Sequence, residues 1–362
     1  MSDFSPYYPL PNKKDFKIGV IGSGFIVDDC HLVSYRKEGL NPVAIASRNY
    51  KTATAVAQKH HIDKVCESID EIIDDKSIEV FDIAVPPAAQ AEIIQKICQA
   101  GTVKGILAQK PLGIDFDEAR KLVESCEKAG IVLSINQNGG YKPSTMAAGE
   151  ALDNGHIAGP VFASIDMRGI PHWMPWQKDL GWVTLRIMSI HHMDALRYWF
   201  GTPDRVYASV RTDPRTQFPH KDGICSYIFE YDSGMRCVVI DDTWTGPARE
   251  GAPADIRINW RIEGLNGLAM GDIGWCQDPY TTPSSFKVGS IGDSDFKEYQ
   301  WERSWFPDAF AGTMGQLLIA LESDAEPAIS ARDNLKTMAT VEAAYKSFEE
   351  KRAVSPSEFL NQ

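Results

Sequence analysis

The stretch Lys17-Ile18-Gly19-Val20-Ile21-Gly22-Ser23-Gly24-Phe25 decides the fold. A short apolar run ending in two glycines reads as a buried parallel strand followed by a tight turn. Gly22 lets the chain turn sharply. Gly24 has no side chain, so a pyrophosphate can approach the backbone and the amides that open the next helix. The third small residue of a full dinucleotide fingerprint is replaced by Val27. Taken alone, the motif fits a glycine turn after any strand equally well.

Outward from this turn, strands and helices alternate. Strands are expected at Pro42–Ala46, Lys64–Cys66, Val80–Val85, Gly105–Ala108 and Ile131–Ile135. Helices are expected near 67–75 and at Thr52–His60, Ala91–Ala100 and Asp115–Ala129, the last two stopped by Gly101 and Gly130. Strands spaced by helices of this length imply a doubly wound parallel sheet, a Rossmann-type α/β domain. Ligands of such sheets bind beyond the carboxyl ends of the strands. The groups there are Gly22, Gly24, Phe25 and Ile26; Ser47 and Arg48; Val85, Pro86, Pro87 and Gln90; and Gln109 and Lys110. An acidic residue after the second strand would select NAD through the ribose 2′-hydroxyl, whereas an arginine accommodates the 2′-phosphate of NADP. Ser47-Arg48 has no carboxylate, which favours NADP and leaves NAD open, because arginine can also stack on adenine.

The 362 residues suggest two domains. The net charge of −12 argues against a nucleic-acid partner, and no apolar stretch is long enough to span a membrane. The first residues carry no secretory signal pattern. The seven cysteines are odd in number and scattered, as expected of free thiols in a reducing cytoplasm. No clustered ligand pattern suggests a metal.

The second half reads differently. Asn138–Pro143 is a linker and Ser144–Asn154 a helix. In Val161–Arg168, the residues Val161, Ala163, Ile165 and Met167 alternate with Phe162, Ser164, Asp166 and Arg168, a strand with one polar face. Further strands fall at 204–211, 224–231, 235–243 and 256–263, with a hairpin turn at Asp232-Ser233-Gly234. Helices at Phe310–Leu321 and Ala331–Glu350 close the chain. This is an α+β domain with a large, open, mostly antiparallel sheet. The expected division is an arm at 1–15, a dinucleotide-binding domain at 16–138, and a substrate-binding and oligomerisation domain at 139–362.

Arg186–Gly201 reads as a helix on which Ile187, His191, Asp194 and Tyr198 share a face. His192 lies instead with Met188, Ala195 and Trp199, which marks it as packed. A histidine suits proton transfer from a hydroxyl, and Asp194 is close enough on the helix to orient the His191 ring. Trp173 and Trp176 in the preceding loop can pack the C–H face of a sugar or serve as core. Arg168 and Asp166 offer groups for hydroxyls or a carboxylate.

The glycine turn, Val85-Pro86-Pro87 after Asp82-Ile83-Ala84, and Gln109-Lys110-Pro111 come in the order and spacing of one family. From Lys17 to about Val354 the chain resembles the glucose–fructose oxidoreductase / inositol dehydrogenase / MocA (Gfo/Idh/MocA) oxidoreductases. The resemblance implies NAD(P), a sugar, polyol or sugar-acid substrate, with a pentose-type aldose as the narrower expectation, and a homodimer or homotetramer. It places Lys110 beside the nicotinamide and the reacting carbon, where an ammonium stabilises a developing alkoxide. It makes His191 the proton donor or acceptor. Asn138 joins the cofactor-binding residues; Lys110, Arg168, Trp173, Trp176, Arg186, His191 and Asp194 form the substrate set. The family pattern has glutamate where this chain has Gln109. It also has aspartate four residues before the histidine, where this chain has Ile187. That second departure keeps open a dinucleotide-binding regulator without turnover; a reductase of a non-sugar carbonyl or imine stands as a further alternative.

Overall fold

The computed structural model describes residues 4–169, 174–243, 256–277 and 280–361, with only the backbone at 274–277 and 280–283. The first sheet is built from β1 (Lys17–Ile21), β2 (Asn41–Ala46), β3 (Lys64–Cys66), β4 (Val80–Ile83), β5 (Gly105–Gln109) and β6 (Val132–Asn136). All are parallel, in the order β3-β2-β1-β4-β5-β6. β4 is buried at all four positions, as expected of a strand covered by helices on both faces. The crossover helices are capped by their own sequence. Asn49 accepts from the amides of Lys51 and Thr52, Ser68 from Glu71, and Asp115 from Glu118. Helices Pro87–Ala100 and Phe116–Ala129 end at Gly101 and Gly130, both left-handed.

The second sheet has eight strands: β7 (Pro160–Arg168), β8 (Arg205–Arg211), β9 (Ile224–Glu230), β10 (Arg236–Asp242), β11 (Arg257–Gly264), β12 (Gly267–Gln277), β13 (Tyr280–Ser290) and β14 (Lys297–Gln300). Their order is β14-β13-β12-β11-β7-β10-β9-β8, and every pairing is antiparallel except β7 with β10. The last three strands lie beyond those expected from the sequence. Along β7, Ala163, Ile165 and Met167 are buried, whereas Phe162, Ser164, Asp166 and Arg168 are half-buried on the other face. That other face also exposes Tyr207, Ile228 and Ile240. Helices Pro143–Asp153 and Ile190–Phe200 belong to the same compact unit as this sheet. Their join is partly polar: Trp260 Nε1 donates to Ser144 Oγ at 3.2 Å, and Trp199 Nε1 to the Thr145 carbonyl at 3.0 Å.

Two compact units result, and they are not continuous in sequence. One comprises Tyr8–Tyr141 with Phe306–Leu335; the other holds the described residues up to Tyr7, those of 142–305 and those from Lys336 onward. Chain order alone groups helix Ala309–Ser323 with the second sheet. It packs in the first unit because Met314, Leu317 and Leu318 share a buried cluster with Ile18, Val20, Val80 and Leu107. No helix among the described residues is long and apolar enough to cross a membrane, and the six described cysteines are free.

Arg186–Gly201 is not one regular helix, contrary to the sequence reading. Leu185–Ser189 is a π-helical turn, and only Ile190–Phe200 is α-helical. The amides of Ile187, Met188 and Ser189 all turn toward the Thr184 carbonyl, at 3.2, 2.8 and 3.0 Å. The wider turn breaks the simple four-residue stacking of Ile187 beneath His191.

Candidate functional site

In the first unit the site is the end of β1. Gly22 has φ +124°, and a Cβ there would lie 2.4 Å from the Ala84 carbonyl oxygen. Only glycine fits such a conformation against a neighbouring strand. Its amide donates to the Ala46 carbonyl at 2.9 Å, tying the turn to the end of β2. A Cβ on Gly24 would meet nothing within 4 Å. The backbone of this exposed residue can therefore be approached closely, as a dinucleotide pyrophosphate requires. Phe25 and Ile26 follow, half-buried, at the start of the turn Ile26–His31. Ser23 Oγ meets Thr52 Oγ1 at 2.6 Å, and beside them Ser47 is half-buried and Arg48 exposed.

The other expected cofactor residues divide into two kinds. Val85 and Pro86 are half-buried, and Pro87 is the first residue of its helix, where the missing amide proton costs nothing. Gln90 is fully buried and serves as a brace. Its amide nitrogen donates to the Gln109 carbonyl at 2.7 Å, and its oxygen accepts from the Gly113 amide at 3.0 Å. Gln109 Oε1 accepts from the Lys110 amide at 2.9 Å. These bonds hold the loop that carries half-buried Lys110. Asn138 is buried in the short turn Asn138–Tyr141. Behind the sheet, Asp82 Oδ2 meets His31 Nδ1 at 2.7 Å and Tyr35 OH at 2.9 Å. His31 Nε2 lies 2.8 Å from Asn136 Nδ2. This buried chain joins β4, β6 and the segment after the glycine turn.

In the second unit, His191 is 3% exposed and its ring meets Trp305 edge-on, with centroids 5.3 Å apart. His192 is buried too, but polar rather than merely packed: its Nδ1 lies 2.8 Å from Asp241 Oδ1. Asp241 also accepts from Tyr227 OH at 3.1 Å and from Ser189 Oγ. The segment leading into this helix is anchored by Asp222, which takes the amides of Val183, Thr184 and Leu185 and the hydroxyl of Tyr345. Asp194 accepts from Thr337 Oγ1 at 2.7 Å.

Lys142 is a group that the sequence reading passed over as linker. It is 1% exposed, and its Nζ sits 4.5 Å from the centre of the same Trp305 ring. Burial pulls its ammonium down from 10.5 to about 7, although Asp194 and Asp241 oppose the fall. One signal was available. Lys142 is the residue capping helix Pro143–Asp153, a place that favours serine, threonine, aspartate or asparagine and disfavours a cation.

The remaining substrate candidates are spread out. Arg168 lies on the half-buried face of β7, opposite the Asp241 face, with its guanidinium 3.0 Å from Asp166. Asp166 is also held by Arg257 at 2.9 Å. Arg186 is buried and committed to Glu342 at 2.5 Å, between the rings of Trp182 and Tyr345. Trp176 is half-buried on the short helix Pro175–Leu180. Trp173 lies outside the described residues. Ile187 is buried and places no carboxylate near His191. Among the described residues, no three His, Cys, Asp or Glu side chains converge as metal ligands do.

Comparison with known proteins agrees with this architecture. Residues 16–137 match the Gfo/Idh/MocA family model described as an oxidoreductase family with an NAD-binding Rossmann fold, and residues 145–269 match the Gfo/Idh/MocA C-terminal domain. The chain is 25% identical to a D-apiose dehydrogenase of Paraburkholderia graminis over 94% of its own length and 90% of that protein's. It is 25% identical to a D-xylose 1-dehydrogenase (NADP(+)) of Haloferax volcanii, over 93% and 98% of the two chains. An oxidoreductase from Agrobacterium radiobacter, solved with NAD+, L-tartaric acid and magnesium, superposes with a TM-score of 0.80 at 19% identity, covering 95% and 99% of the two chains. With its six-stranded parallel sheet, its glycine turn and its eight-stranded open sheet, the chain belongs to the Gfo/Idh/MocA family of NAD(P)-dependent oxidoreductases.

Proposed function

We propose that this enzyme interconverts a carbinol and a carbonyl carbon of a sugar, polyol or sugar acid. The observation that carries the cofactor half is the glycine turn: Gly22 is sterically obligatory and Gly24 is open to close approach. The substrate half is supported by relatives named for D-apiose and D-xylose, each aligned over more than nine-tenths of this chain. When bound, the nicotinamide accepts or gives the hydride. Gly22, Gly24, Phe25 and Ile26 hold the pyrophosphate end, and Ser47 and Arg48 the adenosine ribose, with Arg48 favouring NADP. Val85, Pro86, Pro87, Gln109 and Asn138 complete the lining, and Gln90 positions the Lys110 loop.

Lys110 stabilises negative charge on the reacting oxygen. The hydroxyl proton is taken up in the cluster on Trp305, where His191 is the hydrogen-bond partner of that hydroxyl. Arg168, Asp194, Trp173 and Trp176 are further candidates for substrate contacts, whereas the Glu342 pairing of Arg186 makes it a brace. The exposed apolar residues Tyr207, Ile228 and Ile240 support a homodimer or homotetramer through the open sheet face.

The test is a panel of aldoses, polyols and sugar acids offered with NAD and with NADP, followed by the absorbance of the reduced nicotinamide. Turnover of at least one is expected, and silence across the panel refutes the substrate reading. Lys110→Met and His191→Asn should each lower kcat/KM by roughly 10²–10⁴-fold while the dinucleotide still binds. The double variant should lose much less than the product of the two.

A further inference from the structure

Lysines are almost never fully buried unless paired. Lys142 is fully buried, and among the described residues its ammonium makes no hydrogen bond and no ion pair. Its contact is the face of Trp305, and the carboxylates of Asp194 and Asp241 reach it only through longer-range attraction. Asp241 is occupied by Ser189, His192 and Tyr227, and Asp194 by Thr337. Its backbone position adds to the anomaly. The side chain makes no capping bond to helix Pro143–Asp153, and its charge stands at the positive end of that helix. The Trp305 face and the longer-range pull of Asp194 and Asp241 favour the cation, but among the described residues they do not offset its burial. A residue that breaks local preference, burial preference and charge pairing together belongs to function. His191 packs on the same indole, so two proton-carrying side chains share one aromatic wall.

We propose that Lys142 is a catalytic residue whose amine contacts the substrate's reacting hydroxyl and receives its proton, completing the His191–Trp305 cluster. The inference rests on the carbinol–carbonyl reading above. In the oxidising direction the C–H bond breaks and its electron pair leaves as hydride to the nicotinamide oxidant. The O–H bond breaks, its electron pair becomes the second bond of the carbonyl, and the proton forms a fourth bond on Nζ. In the reducing direction the ammonium returns that proton. An amine near neutrality can do both at physiological pH, whereas an ordinary lysine holds its proton too tightly to act as a base. The titratable groups around it are Asp194, His191 and His192 from helix Ile190–Phe200, and Asp241 with Tyr227 from the sheet.

Two measurements test this. The first needs no turnover: lysine ¹³Cε resonances are followed through a pH titration of the whole protein, and the Lys142 signal is the one missing from Lys142→Met. Titration near neutrality is expected; a midpoint at the ordinary lysine value of about 10.4 overturns the proposal. The second uses whichever of D-xylose, myo-inositol and D-gluconate turns over fastest. Lys142→Met should lose roughly 10²–10⁴-fold in kcat/KM with NADH or NADPH binding intact. Lys142→Arg keeps a cation that cannot give up its proton, so it should lose activity and also flatten the neutral limb of the pH profile. If Lys142→Met does not fold, the arginine variant identifies the Lys142 signal by its absence, and the titration and the arginine kinetics decide. Wild type active with both variants unchanged in rate and pH profile overturns the role of Lys142 and leaves the substrate reading standing. Wild type inactive on all three substrates overturns the substrate reading, and the catalytic role falls with it.

Discussion

A buried lysine with a depressed pKa is a stability liability whose size depends on pH, and Lys142→Met should expose it. The folded chain binds the Lys142 proton with a pKa of about 7, against an ordinary 10.5. Below pH 7 both folded and unfolded chains carry the proton, and the folded state bears the whole penalty. Between about 7 and 10.5 the unfolded chain holds a proton that the folded chain has released, so wild-type stability rises with pH across that window. Above it the charge term no longer changes. At about 1.4 kcal/mol per pH unit, the fall corresponds to about 5 kcal/mol at the acidic end. Methionine is of similar length, apolar and without charge. It should therefore be more stable than wild type by up to about 5 kcal/mol at pH 6, with the gap closing progressively to about 1 kcal/mol by pH 10. Urea unfolding of both proteins at pH 6, 8 and 9.5, followed by tryptophan fluorescence, measures the gap. A difference that stays constant with pH, or a methionine variant less stable at pH 6, would show that Lys142 is not held in an environment hostile to its charge.

Gly22→Ala should destabilise the protein by roughly 2 kcal/mol or more, since its Cβ would lie 2.4 Å from the Ala84 oxygen at φ +124°. Gly24→Val, with no atom within 4 Å of its Cβ, should instead keep the melting temperature and abolish dinucleotide binding; tight binding by that folded variant contradicts the cofactor assignment. Arg48→Ala should weaken NADP binding by about 1.5–3 kcal/mol in calorimetry and leave NAD nearly unchanged; equal losses would mean stacking. Asp82→Ala should cost about 3–5 kcal/mol in chemical denaturation, because His31 and Tyr35 lose their shared buried acceptor. A loss below about 1 kcal/mol would mean that the chain of bonds behind the sheet contributes little.

The parallel sheet was legible because its signals are local. An apolar run closed by two glycines, helices with Asn49, Ser68 and Asp115 at their starts, and glycines at their ends follow from backbone sterics and from the needs of orphan amides. The alternation in Val161–Arg168 marked a strand with one buried face for the same reason. What the sequence could not determine depends on partners far away along the chain. Helix Ala309–Ser323 joined the first unit through apolar contacts with strands about two to three hundred residues earlier, and no local pattern encodes that choice. The π-helical turn at Leu185–Ser189 follows a segment whose three amides are gathered by the buried Asp222 carboxylate some forty residues on, a partner that no local period in the sequence reveals. Arg186 looked available for a substrate until Glu342 was found against it. Lys142 fell within the stretch read only as a linker. Only tertiary burial against Trp305, with no carboxylate in ion-pair range among the described residues, turns its charge from a surface detail into the chemistry proposed for this protein.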